Sequence, residues 1–318
     1  MSPTFQVLVR SITLEAAGVL SFELRPLDSQ LLPAFTAGAH IDLHLPGGLV
    51  RSYSLLNSQD ERHRYVVAVQ LDPNGRGGSR AAHELRVGQT MGIAGPRNNF
   101  QLAEAAPHTV LVAGGIGITP LWSMAQRLQA LGRSWELHYC ARTRQQAALL
   151  DRFEALAPTA RARVHLNFDH EPGGSALDLA GLQSRHAGET HFYCCGPTGM
   201  IQAFQAATAQ RRRECVHVEY FASPIEAAVA GGFAVQLARR KTRLLVAPGR
   251  SILQTLLDAG VEVPYSCMEG ICGSCEVPVL AGEPEHRDLV LSPEEHARNT
   301  RIMVCCSGSR SDTLVLDL

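Results

Sequence analysis

The sequence predicts a multi-domain chain: an antiparallel β-barrel, then an α/β domain with a parallel sheet, then a small α+β domain. Three observations carry this. Short alternating apolar segments fill the first third, with no long helical pattern between them. From Thr109 a continuous apolar run, a glycine-rich turn and a helical period follow one another. Near the end, Cys267, Cys272 and Cys275 stand as C-x4-C-x2-C, with Cys305 further on.

Composition bounds the rest. A chain of 318 residues, 45% hydrophobic and 19% charged, has material for cores and is not disordered; that length suits roughly two to three domains. The net charge of −1 argues against a nucleic-acid partner, which would call for a basic face. No apolar run is long enough to span a membrane, and Met1-Ser-Pro-Thr-Phe-Gln6 does not begin a signal peptide. Nine cysteines are an odd count. With four in the spaced motif, Cys140, Cys194, Cys195, Cys215 and Cys306 are left as free thiols, which suits a reducing cytoplasm. A monomer is expected.

Residues 1–103 read as the barrel. Phe5–Arg10, Val19–Leu24, His40–Leu45, Arg51–Leu56 and Tyr65–Gln70 alternate as half-buried strands, and Pro46-Gly-Gly48 makes a turn. Period-two alternation places Arg51 and Tyr53 on one face and Ser52 and Ser54 on the other. An Arg can fork onto a phosphate, and a Tyr ring can lie along a flat heterocycle. Gly75-Arg-Gly77-Gly78-Ser79 can form a concave anion site from backbone N–H groups. An ordinary surface strand and an ordinary turn are the alternatives.

Residues 104–226 read as the α/β domain. Thr109–Ala113 is a strand buried on both faces, Gly114-Gly115-Ile-Gly117-Ile-Thr119-Pro120 a turn, and Leu121–Leu131 a helix with Gly132 past its end. That geometry aims helix N–H groups at a pyrophosphate. Trp135–Cys140, Val164–Phe168, His191–Cys195 and Val216–Phe221 are further strands, with helices expected over 145–156 and 198–210. Cys195-Gly196-Pro197 ends one of these strands. Arg142 and Arg144 are either candidates for a 2′-phosphate or solvated loop charges.

Residues 227–232 read as a linker and 233–318 as the last domain. Phe233–Leu237 and Thr242–Ala247 suggest a hairpin, Ser251 a cap for a helix running to Ala259, and Arg301–Cys305 a strand. The cysteine spacing is that of a plant-type [2Fe–2S] centre. A structural zinc site is the alternative, but such sites pair one C-x2-C with another or with two His. Cys305 and Cys306 would face opposite ways on a strand, so only one can reach the cluster.

The first domain resembles the flavin-binding barrel of the ferredoxin–NADP reductase superfamily, with Arg51-Ser-Tyr-Ser-Leu as its flavin motif. The whole chain resembles the phthalate dioxygenase reductases, with vanillate O-demethylase reductases close by. The fold so implied is an antiparallel β-barrel flavin domain, an α/β parallel-sheet nucleotide domain and an α+β plant-type ferredoxin domain. The resemblance implies FMN held by Arg51, Ser52, Tyr53, Ser54, Gly77, Gly78 and Ser79. It implies NADH on Gly114, Gly115, Gly117, Thr119, Pro120, Cys195, Gly196 and Pro197. Cys195, Thr119 and Phe221 would flank the reacting rings, Phe221 shielding the flavin; a buried small hydrophobe and plain core packing are the alternatives for Cys195 and Phe221. Cys267, Cys272, Cys275 and Cys305 would hold the [2Fe–2S] cluster. A nicotinamide gives two electrons together, a cluster takes one, and a flavin stands between them. The implied partner is a Rieske-type oxygenase. A non-catalytic electron carrier is the reading from another class.

Overall fold

The structure is a computed structural model that describes residues 4–28, 30–154 and 161–318. The chain forms two compact units that divide between Phe221 and Ala222.

The first unit opens with β1 (Thr4–Ala16), β2 (Val19–Pro26), β3 (His40–Leu45), β4 (Leu49–Ser54), β5 (Tyr65–Gln70), a short helix α1 (Gly78–His83) and β6 (Thr90–Arg97). The strands pair antiparallel in the order β4-β3-β6-β1-β2-β5. The curled sheet closes where Leu55 bridges Val67 and the Leu56 N–H donates to the Val66 carbonyl at 2.9 Å. Inward residues such as Val7, Val9, Phe22, Ile41 and Leu43 are fully buried and fill the barrel. The alternation breaks in β5, where five successive residues are buried. Val67 and Val69 face the barrel, while Val66 and Ala68 pack into the core of the domain that follows.

That domain contains β7 (Thr109–Gly114), α2 (Ile118–Ala130), β8 (Trp135–Ala141), α3 (Leu150–Glu154), β9 (Ala162–Phe168), α4 (Leu179–Ser184), β10 (His191–Cys195), α5 (Thr198–Ala207) and β11 (Val216–Glu219). All five strands are parallel, in the order β11-β10-β7-β8-β9. β7 is central and buried at every position, as its unbroken apolar run predicts.

Two helices differ from expectation. The helix expected over 145–156 is a 3-10 turn at Arg144–Gln146 followed by α3; positions 155 and 156 lie outside the described residues. The Ala148 N–H is drawn off to the buried Tyr139 hydroxyl at 2.9 Å, and Leu149 takes φ +66°, so no helix runs through. α5 stops at Ala207, where the Thr208 hydroxyl donates back to the Phe204 carbonyl at 2.8 Å.

The second unit contains β12 (Phe233–Leu237), β13 (Thr242–Val246), α6 (Ile252–Asp258), β14 (Glu276–Ala281), β15 (Pro284–Glu285), α7 (Pro293–Arg298), β16 (Arg301–Met303), β17 (Gly308–Ser309) and β18 (Thr313–Leu316). Its main sheet runs β13-β12-β18-β14-β16, mixed because β12 and β18 are parallel; β15 pairs with β17. Ser251 and Gln254 form a capping box that starts α6. The segment 227–232 is tied to this unit rather than hanging free. Ala228 donates to the Cys306 carbonyl at 2.7 Å, Gly232 to Val246 at 2.8 Å, and Val229 accepts from Gly249 at 2.8 Å.

None of the helices among the described residues is long and apolar enough to cross a membrane.

Candidate functional site

The four spaced cysteines converge. Cys267, Cys272, Cys275 and Cys305 are 8%, 4%, 3% and 5% exposed. Between the first three the backbone turns through Met268 (φ +59°), Gly270 (φ +71°) and Gly273 (φ +76°), so the loop coils back on itself. The Cys305 thiol is in hydrogen-bond contact with Cys267 and with Cys275, and Cys272 with Cys267. Protons are shared unevenly in this set. The contact with Cys267 pulls Cys305 well below the usual thiol range and pulls Cys272 down to about 6. Cys275, bonded to Cys305 and buried, is pushed up. The Glu269 N–H donates to the Cys267 sulfur at 3.3 Å, and a backbone donor of this kind tunes a bound cluster. Four buried thiols gathered on one tightly turned loop and the segment after β16 fit an iron–sulfur centre.

Cys305 does not end a strand as expected. β16 stops at Met303, and residues 304–306 form a turn. The Cys305 and Cys306 side chains are therefore not opposed across a strand. They touch, and Cys306 sits 3.7 Å from both the Met303 carbonyl and the Ser307 hydroxyl. A Cβ on Gly270 would lie 2.4 Å from the Cys306 sulfur, so this packing requires glycine there.

In the barrel, Arg51 lies directly on the glycine turn. A Cβ on Gly78 would meet Arg51 Cγ at 2.5 Å and Nε at 2.7 Å, and Arg51 Nη2 donates to the Arg76 carbonyl at 3.0 Å. The two pieces of the expected phosphate site are thus one surface, with Gly77 at φ +82° turning the chain into α1. The Ser79 hydroxyl accepts from the Asp72 N–H at 3.0 Å. Burial pushes the Tyr53 hydroxyl up to about 12 against the pull of Arg51, so the phenol stays neutral. On the other face Ser52 donates to Asp42 at 2.7 Å, and Asp42 pairs with Arg97 at 2.7 Å. Ser54 is buried.

In the nucleotide domain the two expected loops pack on each other at the C-terminal ends of β7 and β10. A Cβ on Gly117 would meet the Cys195 carbonyl oxygen at 2.2 Å and the Gly196 nitrogen at 2.8 Å. A Cβ on Gly114 would meet Pro197 Cδ at 2.6 Å and Met200 Sδ at 2.7 Å. Gly115 takes φ +54° with open space beside it. Thr119 is buried and its hydroxyl donates to the Ile116 carbonyl at 3.0 Å, closing the turn; Pro120 sits in the first turn of α2. Cys195 is fully buried, and burial holds its thiol protonated. Phe221 is 41% exposed, so core packing does not account for it. Arg144 lies over the Phe168 ring at 5.0 Å.

Three residues here escape a sequence reading. Glu219 sits in register with Cys195, its Oε2 buried without a partner, and burial pushes its carboxyl up to about 8. The fully buried Tyr193 binds the segment leaving the barrel, accepting from Ala103 at 2.8 Å and donating to Gln101 at 3.2 Å. Asn98 donates to the Thr36 hydroxyl at 2.7 Å and the Ala37 carbonyl at 2.9 Å. These bonds and contacts all join residues far apart in the chain, so no local signal announces them.

Comparison with known proteins follows the same division. Residues 8–102 match the oxidoreductase FAD-binding domain, 111–206 the oxidoreductase NAD-binding domain, and 235–308 the 2Fe-2S iron-sulfur cluster binding domain. The chain is 52% identical to a tetrachlorobenzoquinone reductase of Sphingobium chlorophenolicum, over 99% of this chain and 98% of that one. It is 51% identical to the phenoxybenzoate dioxygenase subunit beta of Ectopseudomonas oleovorans, over 98% and 96%. Among solved structures it resembles an intact type IV self-sufficient cytochrome P450 monooxygenase (TM-score 0.88, 38% identity), covering 99% of this chain but 41% of that one. It also resembles phthalate dioxygenase reductase (TM-score 0.74, 38% identity) over 99% and 98% of the two chains. With three domain matches in order and full-length identity, the chain belongs to the phthalate dioxygenase reductase family of flavin-, NAD- and [2Fe–2S]-binding oxidoreductases.

Proposed function

We propose that this chain is the reductase component of a Rieske-type oxygenase system, taking electrons from NADH through FMN to a [2Fe–2S] cluster and on to the oxygenase. The observation that carries it is the packing of Gly114 and Gly117 against Cys195-Gly196-Pro197, which makes one surface of the two loops that would take the nicotinamide dinucleotide. A flavin held there would supply the exchange between two-electron and one-electron chemistry that links a nicotinamide to a cluster. The protein's part is to position and to exclude. Arg51 with Gly77, Gly78 and Ser79 would hold the flavin phosphate, Ser52 would brace that strand through Asp42, and Tyr53 and Ser54 would line the ring. Gly115, Thr119 and Pro120 would set the turn at the head of α2, and exposed Phe221 would cover the flavin until nicotinamide displaces it. Cys267, Cys272, Cys275 and Cys305 would ligate the cluster. Domain limits near 103 and 226, a monomeric state and a cytoplasmic location complete the reading; the free cysteines suit the last.

A second acceptor is favoured by the identity to a tetrachlorobenzoquinone reductase: a small quinone in place of an oxygenase. The absorbance spectrum of the purified protein, before and after anaerobic NADH, tests the relay. Flavin bands and an iron–sulfur shoulder should both bleach; a shoulder that NADH leaves unchanged would favour a plain carrier. Released flavin identified by mass separates FMN from FAD. Cys272→Ser should abolish cytochrome c reduction and keep ferricyanide reduction. If both survive, the order of electron flow is wrong. The kcat/KM for quinone against that for an oxygenase acceptor decides the substrate.

A further inference from the structure

The turn after β16 carries a second cysteine beside the last expected ligand, and its neighbours fix where its proton goes. Cys306 is 2% exposed. Its sulfur leans on the cysteine loop at Gly270, where an added Cβ would lie 2.4 Å from that sulfur and 3.1 Å from Asp288 Cα. The bare glycine leaves the thiol this place and little freedom to turn away. The sulfur is in hydrogen-bond contact with the Cys305 sulfur. It also lies 3.7 Å from the Met303 carbonyl and 3.7 Å from the Ser307 hydroxyl.

Two of these three neighbours are already engaged. The Met303 carbonyl accepts from the Ser307 N–H at 3.0 Å and from the Cys306 N–H at 3.3 Å, which occupies both of its lone pairs. The Ser307 hydroxyl is fully buried, and its oxygen accepts from the Arg287 N–H at 3.1 Å. Its own proton then has the Cys306 sulfur as acceptor. Donors therefore run in one direction, from Arg287 N–H to Ser307 O–H to Cys306 S–H. The chain ends on Cys305. A metal-ligating Cys305 is a thiolate, and a charged acceptor draws a donor more strongly than a carbonyl already shared by two N–H groups.

We propose that the Cys306 S–H donates to the Cys305 sulfur and thereby raises the reduction potential of the [2Fe–2S] centre. The inference rests on the reading of Cys305 as a cluster ligand, and it makes Cys306 a positioning residue that acts through that ligand. Reduction adds one negative charge to a cluster and its sulfurs. A donor on a ligand sulfur stabilises the reduced form more than the oxidised one. The Glu269 N–H on Cys267 and the Gly270 N–H on Cys305 act in the same sense, but they belong to the backbone. Cys306 supplies its donor from a side chain, so a single substitution removes it and leaves the four ligands in place.

Redox titration of the holoprotein followed by electron paramagnetic resonance, with iron per chain measured, tests this. Cys306→Ala should lower the cluster midpoint, shifting the reduction equilibrium by roughly three- to tenfold, where tenfold is about 59 mV for one electron. Cys306→Ser keeps a hydroxyl donor and should recover most of that shift. An unchanged midpoint in Cys306→Ala, or equal shifts in the two variants, would overturn the assignment, since packing alone would move both alike. Iron content separates this failure from that of the ligand reading. If Cys306→Ala loses the cluster while Cys305→Ala keeps it, Cys306 is the ligand and Cys305 is not. Resonance Raman of the wild type needs no variant: brief exchange into D2O should shift the stretch between iron and cysteine sulfur, and an unmoved band would refute the hydrogen bond.

Discussion

Gly117→Ala separates two reasons for glycine in a turn, since Gly117 has φ −61°, a backbone any residue can adopt. Its need for glycine is spatial. An added Cβ would lie 2.2 Å from the Cys195 carbonyl oxygen, where ordinary contact begins at 3.4 Å, so the loops must part by about 1.2 Å. Every close atom is backbone, so no side chain can swing away. Overpacking of this kind costs about 1–3 kcal/mol. A misplacement of about 1 Å in a positioned reactant can cost roughly 100-fold in rate. Gly115→Ala is the matched control: nothing stands within 4 Å, but φ is +54°, so it should lose about 1–2 kcal/mol without spreading the loops. Stopped-flow bleaching of the flavin by NADH measures the first step. Cytochrome c reduction by photoreduced protein measures the later ones. Gly117→Ala should slow bleaching by one to two orders of magnitude and leave the later steps at wild-type rates. Bleaching within about threefold of wild type at an unchanged melting temperature would refute the loop-packing reasoning.

Tyr193→Phe strands the Ala103 N–H and the Gln101 carbonyl, and should cost about 1–3 kcal/mol, read as a lower melting temperature; no change would mean that water takes over both bonds. Gly270→Ala combines φ +71° with a Cβ 2.4 Å from the Cys306 sulfur, and should lower iron per chain while flavin content holds, so full iron loading would contradict it. Glu219 keeps its proton in the folded chain up to about pH 8, whereas the unfolded chain releases it near 4.5, so wild-type stability falls as pH rises between those values. Glu219→Gln removes that slope and should gain on wild type by roughly 3–4 kcal/mol between about pH 5 and 8; a constant difference in urea midpoints across that range would rule out the buried neutral carboxyl.

Much of the fold was legible because local physics decides it. The apolar run of β7, the glycine turn and α2 sit where periodicity puts them, and Ser251 starts α6. The failures are places where a distant group intervenes. The helix expected over 145–156 is broken by the Tyr139 hydroxyl, which lies on another element. Residues 227–232 look like a linker by composition, yet Gly231 is there for close approach: a Cβ would stand 2.4 Å from the Ala247 carbonyl carbon. α7 was missed although its Ser292-Pro-Glu-Glu295 start is a capping signal in plain view. Its helix is six residues long, too short for an apolar period to show.

The candidate sites divide along the same line, and the division is chemical. Cysteines at fixed spacing and glycines in tight turns are read from sequence because covalent chain geometry brings them together. Arg51 and Gly78 are a step harder, since 26 intervening residues separate a recognisable strand from a recognisable turn, and only the fold makes them one surface. Glu219 beside Cys195, and His296 beside Asp288, need the tertiary structure outright: a lone Glu or His in a sequence carries no hint of which acceptor it will face. In this last group Glu219 also carries an unmet hydrogen-bonding demand, on its buried Oε2. A buried polar atom without a partner costs free energy that the fold must offset elsewhere. On Glu219 a proton retained by the buried carboxyl removes the charge and lowers that cost, so its protonation state, which no motif encodes, is the property to measure there.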